Sequence, residues 1–104
     1  MIVEMRTYRL KPGLRGRFLD VFGARSVPAH AEPGMNILHP FPSVEDADTF
    51  FFMRGLPDLP IREPMKARFD EGALWKNALE ALLMPIIEKS DVVVVDDPHD
   101  RIRW

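Results

Sequence analysis

The chain has 104 residues, no cysteine, and 14 lysines and arginines against 16 aspartates and glutamates, for a net charge of -2. Its length predicts one domain over 1–104, the missing thiols exclude disulfides and thiolate zinc sites and suit a reducing cytoplasm, and the charge balance lacks the excess of a nucleic-acid binder. No apolar run approaches the roughly 18 residues that span a bilayer, and Glu4, Arg6 and Arg9 interrupt the opening MIVEMRTYRL where a signal peptide would be apolar.

Residues 2–10 alternate as a strand, with Val3, Met5 and Thr7 on one face and Glu4, Arg6 and Tyr8 on the other. KPG at 11–13 ends it. Leu14, Phe18, Val21, Phe22 and Arg25 then recur at helical spacing, which predicts a helix over 14–31 kinked or ended near Ser26 by Pro28. The basic residues of this first quarter read as a solvated helix face rather than a phosphate patch. EPG at 32–34 closes the unit. MNILHPF at 35–41 is a second strand weakened by Pro40, and Thr49 to Arg54 a third, so 35–54 reads as a hairpin.

Asp58 is a candidate N-cap for the next helix. There Ile61, Met65 and Phe69 share one face, and Pro64 demands a kink or a later start. Gly72 ends that segment. Trp75, Leu79, Leu82 and Ile86 predict a helix over 73–84, stopped around Pro85, with Trp75 as core packing. DVVVVD at 91–96 is the last strand, and the tail 97–104 has no periodicity. The order is β-α-β-β-α-β. Right-handed crossovers then give a four-stranded antiparallel sheet with helices on one face, the α+β ferredoxin-like arrangement.

Such a sheet leaves one face bare, and a bare face should alternate polar with apolar. FFFM at 50–53 and VVVV at 92–95 do not alternate, so both of their faces should be covered. A second copy can supply the cover, and the expected assembly is a homodimer whose sheets close into a barrel. If Val3, Met5, Phe51 and Met53 face the helices, parity sends Glu4, Arg6, Tyr8, Phe50, Phe52 and Arg54 to the barrel interior. His39 is a further candidate, as a base, and Arg62 could lean toward the barrel mouth. One reading of this set is a pocket for a small organic anion or an apolar molecule with one carboxylate or enolate. The other is an ion-pair network of Glu4 with Arg6 or Arg54 that only holds the sheet together. No metal and no cofactor are expected, since His30, His39 and His99 lack ligand spacing and nothing supports His30 as a haem ligand.

VEMRTYRLKPG at 3–13 resembles the opening of NIPSNAP domains. FFFMRGLPDLPIREPMKARFDEGALWK at 50–76 resembles their second half, and the likeness spans about residues 2–96. The resemblance implies a dimeric α/β barrel. It places Glu4, Arg6, Tyr8, Arg54, Asp58, Arg62, Phe69 and Trp75 at family-like positions, none with an agreed catalytic role. Pro64 and HPFPS at 39–43 depart from the family pattern. Relatives on the same barrel include cofactor-free monooxygenases, haem-degrading enzymes and muconolactone isomerase-like proteins. Longer eukaryotic members are associated with mitochondria and protein interactions. Two functions follow: a small-molecule binder, or monooxygenase- or isomerase-like enzyme, working in the barrel interior, and a non-catalytic dimeric adaptor working through its charged helices.

Overall fold

The computed structural model describes residues 1–31, 33–73 and 75–104; the side chains of His39 and Ala78 lie outside that description. Four strands, β1 (Ile2–Leu10), β2 (Asn36–Pro42), β3 (Thr49–Leu56) and β4 (Ile87–Asp96), form one antiparallel sheet in the order β2-β3-β1-β4. This is the ferredoxin-like arrangement expected from the element order. β4 is longer than the valine run alone indicates.

The first helical segment is α1 (Arg15–Val21), a π-helical turn over Phe22–Ser26, and α2 (Val27–Ala29). Pro28 therefore does not end the helix at Ser26. The chain widens by a π turn just before the proline, which absorbs the missing donor, and continues to Ala29. After it, the His30 amide donates to Val27 O at 3.2 Å instead of to Ser26. That leaves the Ser26 carbonyl free for another donor.

The second helical segment is α3 (Arg62–Glu71), a π turn over Trp75–Leu79, α4 (Glu80–Leu83) and a 3-10 turn over Met84–Ile86. Asp58 Oδ1 accepts from the Ile61 amide at 2.9 Å. Because α3 begins at Arg62, Pro64 lies in its first turn, where amides have no partner within the helix, so the proline costs nothing there. One surface arginine has a structural task. Arg15 Nη1 donates to the carbonyls of Ser43, Asp46 and Thr49 at 2.9–3.1 Å and so ties down the β2–β3 connection, rather than sitting free on a solvated face.

The core lies between the sheet and the helices. Leu10, Phe18, Phe22, Phe50, Phe52, Leu56, Met65, Phe69, Leu79 and Leu83 are all buried in it. The parity grouping read from the sequence holds, but its sides are reversed. Phe50 packs on Phe18 and Phe22, with centroids 5.3 and 5.7 Å apart, and Phe52 packs on Phe22 at 4.9 Å. The set of Glu4, Arg6, Tyr8, Phe50, Phe52 and Arg54 thus faces the helices, and Met5, Thr7, Phe51 and Met53 face away. Alternation tells which residues share a face and is silent on which face is covered. Phenylalanines fill the space under a helix layer better than Met5 or Val3, and the charges among them neutralise one another in part.

The open face is not uniformly bare. Val3 is fully buried, and its cross-strand neighbour Gly55 lies under the returning C-terminal tail. Asp97 accepts the Arg101 and Ile102 amides, each at 3.0 Å, and its own amide donates to Met1 O at 2.8 Å. This turn brings Trp104 against Gly55, where an added Cβ would lie 2.6 Å from the indole. Elsewhere the face is half-buried at Met5, Phe51 and Met53 and exposed at its edges, with Phe41 at 51% and Val93 at 59%. Val92 and Val94, on the helix side of β4, are also exposed, because the helices do not reach that edge strand. Within one chain, then, Val92, Val93 and Val94 stay exposed on both faces, and only Val95 is half-buried.

Candidate functional site: a carboxylate ringed by arginines under an aromatic cavity

The register of β1 and β3 sets Glu4 opposite Arg54, Arg6 opposite Phe52 and Tyr8 opposite Phe50. Directly opposed residues share a face and touch. Arg54 donates to Glu4 Oε1 through Nε at 2.8 Å and lies 2.7 Å from it through Nη2. Arg6 Nε reaches the same oxygen at 2.9 Å, and Arg62 Nε takes Oε2 at 2.7 Å from the first turn of α3. A cation at a helix N-terminus is unfavourable; Glu4 and Glu63, 3.2 Å from Arg62 Nη1, compensate for it. Glu4 has no exposed surface, yet three guanidiniums gather on its one negative charge.

Burial on its own would push the Glu4 carboxyl up. The Arg54 charge and the Arg6 hydrogen bond outweigh it and hold the group at about 2. Burial and repulsion from Arg6 lower Arg54. Burial also works against the Arg6 cation, but Tyr8 and Glu4 overcome it and hold Arg6 above its ordinary value.

Beside this cluster lies a cavity of about 500 Å³ between sheet and helices. Its apolar walls include Phe18, Phe22, Phe52, Phe69, Trp75 and Leu83, and its polar lining includes Arg6, Tyr8, Ser26, His30 and Arg54. Both π turns border it, one through Phe22 and Ser26 and the other through Trp75 and Lys76. Wide turns of this kind recur at functional sites. His30 is fixed on three sides. Its Nδ1 lies 2.6 Å from the freed Ser26 carbonyl, its Nε2 lies 3.4 Å from Arg54 Nη1, and its ring packs on Phe69 at 4.2 Å. Burial lowers the imidazole and the Ser26 carbonyl opposes this. With Arg54 and Arg6 adding to the lowering, it lies at about 4 and is neutral at physiological pH.

Among the residues singled out from sequence, Arg6, Tyr8, Phe52 and Arg54 line the cavity. Glu4, Phe50 and Arg62 stand behind it as support. The side chain of His39 lies outside the described structure. The cavity itself is under the helices and not on the open face where the barrel interior was expected. His30, weighed from sequence only as a metal or haem ligand, and Trp75, read there as core packing, are further members. The signal for His30 was present: Phe18, Phe22, Ser26 and His30 recur every four residues, a stripe that follows the widened helix. Among the described residues, no three or more metal-ligating side chains cluster together, and no helix is long and apolar enough to cross a membrane.

The fold has counterparts among solved structures. An uncharacterized NIPSNAP domain protein from Burkholderia xenovorans matches with TM-score 0.84 at 19% identity, covering 99% of this chain and 100% of that one. A NIPSNAP family protein from Agrobacterium tumefaciens matches with TM-score 0.83 at 23% identity, covering 98% of each chain. An antibiotic biosynthesis monooxygenase matches with TM-score 0.68 at 17% identity, over 92% of this chain and 97% of that one. No protein-family model and no curated protein matches the sequence. From one end to the other, the chain has the fold of these NIPSNAP-domain proteins, a ferredoxin-like sheet and helix layer that the monooxygenase shares.

Proposed function

We propose that this protein binds a small organic anion with an aromatic or apolar body in the cavity between sheet and helices. The observation that carries the proposal is the charge beneath the cavity: Arg6 and Arg54 share the single carboxylate of Glu4 with Arg62, which also reaches the exposed Glu63, so the buried cluster keeps an excess of positive charge. An uncompensated buried cation is costly, and a bound anion would relieve it. The phenylalanine and tryptophan walls suit an apolar body. The fold shared with an antibiotic biosynthesis monooxygenase makes oxygenation of the bound molecule the first chemistry to assay.

The working unit in this proposal is a homodimer formed through the open sheet face. Exposed Phe41 and Val93 and half-buried Met53 on that face, and exposed Val92 and Val94 along β4, support it. Native mass spectrometry of freshly purified protein, followed by equilibrium dialysis against benzoate and 4-nitrophenol, tests the ligand reading. Co-purified small-molecule mass, or saturable uptake that Arg54→Met abolishes while the fold is retained, supports it. A protein that carries no ligand and takes up neither compound contradicts it.

A further inference from the structure

We infer that the inner end of the cavity holds its ligand by a single ionised enol or phenol oxygen, with the Tyr8 hydroxyl as donor and Arg6 as the group that strengthens that donor. The inference rests on the ligand-site reading above and adds the functional group of the ligand to it. Arg6 Nη1 lies 3.2 Å from the Tyr8 oxygen. A guanidinium only donates, so the Tyr8 oxygen accepts, and its own proton must point elsewhere. Tyr8 lines the cavity and is partly exposed. Its ring is wedged edge-on against Phe50 and Phe52, at 5.5 and 5.2 Å, which fixes where the hydroxyl can aim. Accepting from a cation makes the phenol a better donor.

His30 offers no competing base. A carbonyl only accepts, so the 2.6 Å contact with Ser26 O places the imidazole proton on Nδ1. The bare Nε2 is left facing Arg54 Nη1. The inner end therefore presents donors from Tyr8, Arg6 and Arg54, with the Ser26 hydroxyl able to act either way. The acids among the lining residues, Asp70, Glu71 and Glu80, lie on the helix side with Lys66 and Lys76. A neutral alcohol or amine would bring a proton with little to receive it, whereas an oxyanion needs only donors.

A carboxylate is matched best by a free guanidinium fork. Neither fork is free here. Arg54 spends Nε and Nη2 on Glu4, and Arg6 spends Nε on Glu4 and Nη1 on Tyr8. The remaining single donors suit one oxygen better than two.

The probe is 4-nitrophenol, whose phenol and phenolate forms differ in colour. With protein in excess, its bound pKa is read by spectrophotometric titration in wild type and in Tyr8→Phe. The expected result is a drop of about one unit on binding, a tenfold stabilisation of the anion, of which Tyr8→Phe returns at least half with its circular dichroism unchanged. A probe that binds with no downward shift, or a Tyr8→Phe protein that keeps the whole shift, overturns this inference and leaves the cavity as a ligand site. A probe that does not bind overturns it as well, and counts against the ligand reading itself.

Discussion

The two faces of the sheet invert the usual expectation for charge. The face under the helices carries Glu4, Arg6, Arg54 and the reach of Arg62, while the face turned to solvent carries Phe41, Phe51, Met53 and Val93. On the buried side, every charge has a partner within 3.2 Å and the aromatic residues close around them. On the open side, apolar surface has no partner except where Trp104 folds back on Gly55. The difference teaches that the covered face is built to hold charge in place, while the open face leaves apolar side chains to solvent.

The sharpest break of this comparison is Glu4→Gln. It leaves Arg6 and Arg54 without a carboxylate and Arg62 with only the exposed Glu63, and should cost about 3–5 kcal/mol in denaturant unfolding, as removing one partner of a buried pair does. A loss below about 1 kcal/mol would mean the arginines are solvated and the covered face is not a charge-holding site.

Acid should then dismantle the same face in two windows. His30 has its folded value lowered from 6.5 to about 4, so its contribution is present above pH 6.5 and lost as the pH falls toward 4. Glu4 is lowered from 4.5 to about 2, so its contribution disappears between pH 4.5 and 2. Each window is worth about 3 kcal/mol. His30→Gln should flatten the first window and leave the second, as read by urea unfolding across the range from neutral pH through about pH 4 to about pH 2.

The open face is tested by its assembly. Light scattering should give about twice the 12.0 kDa chain mass, and Val93→Lys should return the single-chain mass with folding stability changed by less than about 1 kcal/mol. The smallest effect belongs to the tail. Gly55→Ala puts a methyl where the indole of Trp104 and the sulfur of Met1 now sit. Both are ends of flexible side chains, so Trp104 fluorescence should move toward that of an exposed indole at a stability cost within about 1 kcal/mol.

Much of this was legible in the sequence. The element order gives the sheet and its antiparallel topology, and period-two alternation groups Glu4, Arg6 and Tyr8 with Phe50, Phe52 and Arg54. Sidedness was not legible, because alternation is symmetric and the apolar Val3 and Met5 compete with the phenylalanines for the covered face. The cavity depends on where two helical segments widen into π turns, at Phe22–Ser26 and Trp75–Leu79. A reading at 3.6 residues per turn runs straight through both, which is why Phe18, Phe22, Ser26 and His30 were not recognised as one stripe. Trp75 looked like core because its spacing with leucines is that of a packed helix, yet it also forms a cavity wall. The tail has no periodicity to read, and its order comes from one carboxylate, Asp97, accepting two amides.

The measurement that bears most directly on the central claim is an amide NMR titration of the intact protein with 4-nitrophenolate. The account predicts saturable shifts at Tyr8, Ser26, His30, Phe69 and Trp75, on the helix side of the sheet, with Met5, Phe51 and Val93 unmoved. Shifts confined to Met5, Phe51 and Val93, or no saturable shift at all, would contradict it.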